Sequence, residues 1–470
     1  MAGVINNESD QYTDEVQILV ESIENHLKQG PSSPANYTIY RVLKPLRDVK
    51  PDAYTPRLVS IGPFHRGSQH LLPMEAHKLR LLKCFLDRTS QSSLADYVRE
   101  MKNIEKEARQ CYSEIIPFKK DDFVRMMVVD GCFLLELIIG WEERRQDPVE
   151  PIFNEIWMPQ IIRDLMLLEN QLPFFVLESL YNLYIMDGAM YYFTRSFLTD
   201  FLPRSPSINP KESVPRRLFN WVKSIFHSPS ESNEDWGEES QDSTSSYLQM
   251  PQVNQGGASH LLDYVRQLLV LQEPKQHEGK QPQRIHCATE LKKATVKFEK
   301  SNTTLLSDIT FKEGVLRIPS IHIDDLTESL LRNLIALEQS HHYEDKYVIA
   351  YAVFMDDLIN TPEDVKLLQD EEIFENLINL EDVATLFNKI LKEVTEPHEL
   401  CFSHVYSELD SYYNDPWHKL LAKVQQHMGS LRSRYFKNTW SFISFLAAIA
   451  LMGLTIAQTF AAFMYGKNGS

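Results

Sequence analysis

The chemistry available to this sequence depends on a few ionisable residues set among apolar ones. Asp130 and Glu136 interrupt the run MMVVDGCFLLELII, while Arg163, Asp164 and Glu169 flank LMLL in the next apolar stretch. An ionised group loses its hydration on burial, so each of these residues needs a partner. The pattern predicts a buried polar network made of Asp130, Glu136, Arg163, Glu169 and Arg41.

The partners expected in this network lie in different parts of the chain. Asp130 or Glu169 would pair with Arg163, or with Arg41 or Arg47 of a proline-rich extended segment at 37–67. Such pairs would hold the segment on the helical core. The alternative is a carboxylate pair for acid or base catalysis, which requires a cleft and a shifted pKa. The structural role is the favoured interpretation.

The loop GPFHRG provides a second candidate site. Loops with special backbone conformations often carry binding function, so His65 is a candidate ligand-contacting or partner-binding residue, together with Arg66 and Tyr54. The alternative is a loop histidine that holds backbone carbonyls, which is the commoner role.

Sequence motifs of familiar enzymes are absent from the chain. It has no GxxxxGK, no GxGxxG after an apparent strand, no GxSxG and no HExxH. HELCFSH places His398, Cys401 and His404 three residues apart, but that series drifts around a helix and offers at most three ligands. We therefore expect no metal, no cofactor and no turnover chemistry. An uncharacterised enzyme, such as a hydrolase using the His65 loop and a buried carboxylate, is the alternative.

Charge and composition exclude several classes of protein. The 470 residues include 48 Lys and Arg against 65 Asp and Glu, a formal net charge of −17 that disfavours nucleic-acid binding. With 43% hydrophobic residues, the chain is not a disordered or collagen-like one. Its five cysteines never form a CxxC pair, which indicates reduced thiols and a reducing compartment.

Hydrophobic periodicity predicts a mainly α fold, a composite helical domain in two halves. Very apolar helices are expected around 124–141 and 156–184, and a small β-hairpin or sheet near 305–323, turning at Glu313 and Gly314. The predicted regions are an N-terminal tail with a packed amphipathic helix (1–36), a first half (37–202), a flexible acidic, serine-rich insertion with a short basic amphipathic piece (203–284), a second half (285–431) and a transmembrane helix (439–465).

The transmembrane prediction rests on an uncharged C-terminal segment. From Trp440 to Met464, at about 1.5 Å per residue, the segment is long enough to cross a hydrocarbon core of about 30 Å. Trp440 and Tyr465 would lie at the two interfaces. Because basic residues precede the segment, the bulk of a single-pass, tail-anchored protein would be cytoplasmic.

Small residues recur along one side of this segment. Gly453, Ala457 and Ala461 are four residues apart, and Gln458 lies beside them. Such a stripe lets two helices approach closely, which suggests a homodimer. The alternative is that alanine is simply common in apolar helices.

Several long blocks resemble one plant family, known as domain of unknown function 247 or UPF0481. They are VSIGPFHRG, MMVVDGCFLLEL, RDLMLLENQLPFFVLESLY, ATELKKATVKFEK, FKEGVLRIPSIHIDDLTESLLRNLIALEQ and LINTPEDVKLL, in the family's order over roughly 37–462. Phe64, Arg66 and Leu43 depart from the family's usual Tyr, His and Pro, which casts doubt on chemistry assigned to a His pair there.

The resemblance implies a membrane-associated plant protein without established activity or cofactor. Some grass relatives are linked to self-incompatibility, which suggests a recognition, signalling or scaffold role by analogy. We therefore expect contact with a lipid bilayer and with an unidentified protein partner. The plasma membrane is favoured over the endoplasmic reticulum.

Overall fold

Helices build most of this protein, because their apolar faces can cover one another. The computed structural model describes residues 16–24, 37–88, 92–144, 151–185, 190–201, 257–270, 284–417, 419 and 439–467, with breaks at 155, 200, 302, 304, 344, 377 and 398–400. The insertion predicted at 203–284 lies largely outside the described residues.

The long regular elements described in the first half of the chain are helices. Its helices are α1 (16–24), α2 (Lys44–Val49), α3 (Leu72–Asp87), α4 (Leu94–Gln110), α5 (Lys120–Arg144), α6 (Trp157–Leu165), α7 (Phe174–Tyr184) and α8 (Met190–Thr199). Helix α5 lies at the centre and contacts α3, α4, α7 and α8. Its sequence is apolar on almost every side because it is surrounded by other helices.

The second half adds helices and short strands. The helices are α9 (Leu261–Leu269), α10 (Ala288–Lys293), α11 (Thr327–Ser340), α12 (Tyr347–Leu358), α13 (Pro362–Asp370), α14 (Leu380–Ile390), α15 (Ser403–Asn414) and α16 (Thr439–Lys467). The strands are β1 (Lys297–Lys300), β2 (Thr310–Lys312), β3 (Val315–Ile318), β4 (Ile321–Ile323) and β5 (Phe374–Asn376).

The strands form two small sheets. Strand β3 pairs with β2 in an antiparallel hairpin and with β1 in parallel, so Leu316 lies between Phe298 and Phe311. The hairpin turns at Glu313 and Gly314, whose φ angles are 53° and 79°. Strands β4 and β5 form a separate parallel pair. The prediction of a mainly helical fold with a small sheet is therefore confirmed.

Both halves contribute to one apolar core, which runs from Ile39 to Leu409. Asn333 of α11 joins the halves, since its Oδ1 accepts the N–H of Leu168 at 2.9 Å and its Nδ2 donates to the Ala53 carbonyl at 2.8 Å. The Ser329 hydroxyl donates to the same carbonyl at 2.8 Å. The two halves consequently pack through buried, hydrogen-bonded contacts.

The continuous helix expected around 156–184 is wrong. Helix α6 ends at Leu165 and α7 begins at Phe174, which leaves the buried stretch MLLENQLP between them as a loop. Pro173 is the N-cap residue of α7 and has no N–H to continue a helical ladder. The polar side chains of the stretch bind backbone groups instead, as described below.

The predicted transmembrane helix is also wrong. Helix α16 exists, but among the described helices none combines the length and the apolar character that crossing a bilayer requires. The interfacial roles predicted for Trp440 and Tyr465 are lost with the span, and their side chains lie outside the described set.

Helix α1 differs from the packed amphipathic helix that was expected. Its apolar row, made of Val16, Leu19, Val20 and Ile23, is 40–61% exposed. The helical spacing of the row is as predicted, whereas its burial is not.

A buried histidine ties the N-terminal segment to α9. His260 is the N-cap of that helix, and its Nδ1 accepts the N–H of Asp263 at 3.2 Å. Its Nε2 lies 3.0 Å from the Thr38 carbonyl and donates to it. The neutral ring satisfies both contacts, and burial lowers the pKa of His260 from 6.5 to about 4.

Acid should therefore destabilise this protein partly through His260. The unfolded chain takes up the proton first, so the stability held by the neutral ring is present above pH 6.5 and is lost as pH falls towards 4. The loss by pH 5 is about 2 kcal/mol. His260→Asn keeps an N-cap acceptor but cannot titrate, so its stability deficit relative to the wild type should shrink by that amount between pH 7 and 5. Urea unfolding at both pH values measures this, and parallel pH profiles would contradict it.

Candidate functional site

The candidate site is the place where the loop between α6 and α7 meets the extended segment at 55–67. Glu169, Asn170 and Gln171 of this loop are buried, although their side chains are polar. The Gln171 amide donates to the carbonyls of Leu165 at 2.6 Å and Leu167 at 2.8 Å, and so satisfies acceptors at the end of α6 and just beyond it. The loop conformation is thus fixed by its own side chains.

Asp164, in the last turn of α6, receives the backbone of the extended segment. Its carboxylate accepts N–H groups from Arg57 at 2.9 Å, Leu58 at 2.6 Å and Val59 at 3.0 Å. The guanidinium of Arg163 also donates to it, at 2.9 Å. Burial raises the pKa of Asp164, while these four donors act in the opposite direction and favour the ionised form.

Asn170 continues this pairing along the segment. Its Oδ1 accepts the N–H of Ile61 at 2.7 Å, and its Nδ2 donates to the carbonyls of Val59 at 3.0 Å and Asp164 at 2.8 Å. The side chain therefore serves the buried backbone as a neighbouring strand would.

Glu169 collects cationic groups from the N-terminal part of the chain. Its Oε1 accepts the N–H of Val42 at 2.7 Å and lies 2.5 Å from Arg47 Nη2. Its Oε2 lies 3.1 Å from Arg41 Nη1 and 3.3 Å from His65 Nε2. Burial alone would raise the pKa of Glu169, but the His65 ring, Arg47 and the Val42 N–H together lower it to about 2.

Asp130, inside α5, forms the third anionic centre. Its carboxylate lies 2.8 Å from the ammonium of Lys78, a fully buried lysine of α3 that also donates to the Ser60 carbonyl. The N–H of Gly62 donates to Asp130 at 3.0 Å, and Arg66 Nη1 lies 3.6 Å away. Burial raises the pKa of Asp130, and the cations of Lys78 and Arg66 oppose that shift.

The structure places the predicted network residues in separate pairs. Glu169 lies with Arg41 and Arg47, as expected, whereas Arg163 pairs with its neighbour Asp164. Glu136 lies elsewhere on α5 and pairs with Arg88 at 2.6 Å.

The predicted partner-binding residues face inward to different degrees. Tyr54 is buried, with the Arg47 guanidinium 5.8 Å from its ring centre, so its surface is used within the fold. The side chains of His65 and Arg66 are 13% and 24% exposed and lie against Glu169 and against Glu75 and Asp130. A partner would reach only the edges of these two residues.

Sequence reasoning missed Lys78, Asn170 and Asn333. Lys78 occupies the apolar row of α3 together with Met74, Leu81 and Phe85, and a cation at such a position was a readable signal of a buried acidic partner. Asn170 stands in the apolar run LMLLENQLPFF, where a polar side chain needs hydrogen-bond partners. Asn333 carries no comparable local signal.

The arrangement is better suited to holding backbone than to moving protons. A carboxylate with a pKa of about 2 that already contacts two guanidinium groups is a weak base near neutral pH. A cavity beside Arg163 and Met166 has space for about one water molecule. Within the described residues, no three His, Cys, Asp or Glu side chains are grouped to hold a metal, and His398 lies outside them.

Comparison with known proteins identifies the family. The model of a family described as plant protein of unknown function, domain of unknown function 247, matches residues 39–454. The chain belongs to this family. The predicted family resemblance is thus confirmed, and every residue of the site described above falls inside the matched range.

Two relatives of this family member come from Arabidopsis thaliana. A UPF0481 protein is 26% identical over 490 aligned residues, covering 95% of this chain and 92% of the relative. A putative UPF0481 protein is 24% identical over 505 residues, covering 94% and 93%. No solved structure matches this domain of unknown function 247 protein.

Removing the charge of Glu169 should destabilise the fold. Glu169→Gln leaves Arg41 and Arg47 around a neutral, buried amide, and we expect a loss of about 3 kcal/mol in the free energy of unfolding. Glu114→Gln is the matched control, because Glu114 also contacts Arg41 but is 53% exposed, so its loss should stay below about 1 kcal/mol. Urea unfolding of both variants measures the difference, and equal losses would contradict this role of Glu169.

Two glycines of the segment should respond differently to alanine. Gly62 and Gly67 both have positive φ angles, 72° and 86°, so alanine strains either backbone. A Cβ at Gly62 would also collide with the Gln171 carbonyl, whereas one at Gly67 would meet no described atom within 4 Å. We expect losses of about 1 kcal/mol for Gly67→Ala and more than about 3 kcal/mol for Gly62→Ala. Similar thermal unfolding of the two variants would refute the close packing at Gly62.

Proposed function

We propose that this plant protein is a non-enzymatic recognition or scaffold protein that acts by binding other protein chains. The observation that carries the proposal is the exposure of helix α16. Five of its apolar side chains are 59–65% exposed, namely Leu451, Met452, Leu454, Ile456 and Phe460. Exposed apolar side chains in this number on one helix mark an interaction site.

The interior of the protein supports a binding role over catalysis. The enzyme alternative requires His65 and a buried carboxylate to exchange protons. Glu169, the carboxylate beside His65, is held ionised by Arg41 and Arg47, so it contributes to fold stability instead. No observation favours the hydrolase function specifically.

Self-association is the form of binding that α16 supports best. A Cβ at Gly453 would meet no atom of the described residues within 4 Å, so none of them requires glycine there. A small residue at this position gives a second helix room to approach. Ala457 and Ala461 continue the stripe at four-residue spacing, and Gln458 lies beside Ala457 in the sequence. We propose a homodimer that pairs along this stripe.

The cysteines support the proposed reducing compartment. All five thiols are free, and Cys132, Cys287 and Cys401 are buried, which supports a reducing compartment. We keep the prediction of a cytoplasmic location beside a membrane, with the plasma membrane favoured over the endoplasmic reticulum. Contact with lipid, a signalling role and an unidentified protein partner also stay predictions.

A bulky residue at Gly453 should weaken self-association. Gly453→Ile fits within one chain, so its effect would arise between chains, and we expect about tenfold less recovery of a second, differently tagged copy. Thr455→Ile is the matched control, since position 455 lies about 200° away around the helix and receives the same side chain. Co-precipitation of the two tagged full-length chains from plant cells is the measurement.

Two outcomes would contradict the proposed homodimer. In one, the Gly453→Ile chains co-precipitate as well as the wild type. In the other, both isoleucine variants lose association equally, which would indicate a general effect of added apolar surface.

A further inference from the structure

Helix α1 presents an apolar row that no described part of the chain covers. Val16, Leu19, Val20 and Ile23 follow at offsets of 0, 3, 4 and 7, the spacing by which an amphipathic helix binds a partner. All of α1 is exposed, and its Leu19 side chain is 61% exposed. The residues of 14–24 include four acids and no Lys or Arg, so an occupant of this row should be cationic as well as apolar.

One other segment of the chain has the complementary sequence. Residues 214–227, VPRRLFNWVKSIFH, lie outside the described residues and contain three Lys or Arg and no acid. Their apolar residues Leu218, Trp221, Val222 and Ile225 repeat the offsets of 0, 3, 4 and 7. The two segments thus share one apolar spacing and carry opposite charge.

The charges also occupy equivalent positions in the two segments. Relative to the first apolar residue of each row, acids stand at offsets −2, −1 and +5 in the sequence of 14–24, as Asp14, Glu15 and Glu21. Cations stand at the same three offsets in the other segment, at positions 216, 217 and 223. Pairing two acidic or two cationic segments would bring like charges together, so the mixed pair is favoured.

We propose that residues 214–227 dock along the apolar row of α1 within the same chain. The connecting stretches, 25–36 and 202–213, can each extend to about 40 Å, and together they exceed the roughly 50 Å diameter of a body of this size. Two segments on one chain meet at a high effective concentration, which favours them over a separate partner. This contact is independent of the pairing proposed for α16, because it uses a different helix.

Photo-cross-linking of the full-length chain tests the proposal. Benzoylphenylalanine replaces Leu19, or Gln17 about 200° around the helix as the control, and the cross-linked peptides are identified by mass spectrometry. From position 19 we expect cross-links to 214–227 of the same chain, with a yield independent of protein concentration. Position 17 should give at least several-fold fewer.

Charge reversal provides the second arm of the test. Arg216→Glu with Arg217→Glu should lower the cross-link yield about tenfold, and adding Asp14→Arg with Glu15→Arg should restore it. These substitutions lie outside the buried core, so unfolding would not explain a cross-link yield that the second pair of substitutions restores. The proposal is overturned if position 19 cross-links to a second copy, to lipid or to another protein. It is also overturned if positions 17 and 19 give equal yields, or if the second pair of substitutions does not restore the cross-link.

Discussion

The fold depends on a stretch of extended backbone that is buried without a partner strand. Val59, Ser60, Ile61 and Gly62 are buried, and each buried N–H and carbonyl there needs a hydrogen-bond partner. Side chains of the helical core supply these partners, chiefly Asp164, Asn170, Asp130 and Lys78. The polar residues inside the apolar blocks are therefore present because the extended segment needs them.

Burying carboxylates for this purpose creates a second requirement, which is compensation of their charge. Arg163 lies beside Asp164, Lys78 beside Asp130, and Arg41 and Arg47 beside Glu169. The neighbouring loop also meets the second half of the chain, since Asn333 binds both the Leu168 N–H and the Ala53 carbonyl. One polar junction thus holds the extended segment, the central helices and the two halves together, and we expect these parts to unfold cooperatively.

Sequence patterns predicted the features of the fold that depend on neighbouring residues. The helices, the hairpin at Glu313 and Gly314, and the need of Asp130 and Glu169 for partners all follow from periodicity, turn chemistry and desolvation. The identity of those partners did not follow, because Lys78 and Asp130 are brought together only by the packing of α3 on α5. The loop at 166–173 was missed because its apolar composition fits a helix, and its bonds to Asn333 and Leu262 join residues far apart in the sequence. Hydropathy at 440–464 likewise predicted a span that the described helices do not provide.

The distribution of polar and apolar groups favours a division of roles between the interior and the surface. Catalytic carboxylates usually keep a pKa near the working pH and a path to substrate, whereas Glu169 has both oxygens engaged and a pKa of about 2. The interior electrostatics thus stabilise structure. Exposed apolar rows are instead found on α1 and α16, where burial would release free energy only on contact with another surface. The interior charges are compensated by one another, so they contribute to stability. Burying the exposed apolar rows of α1 and α16 against another surface would instead release free energy, so we expect binding at these two helices.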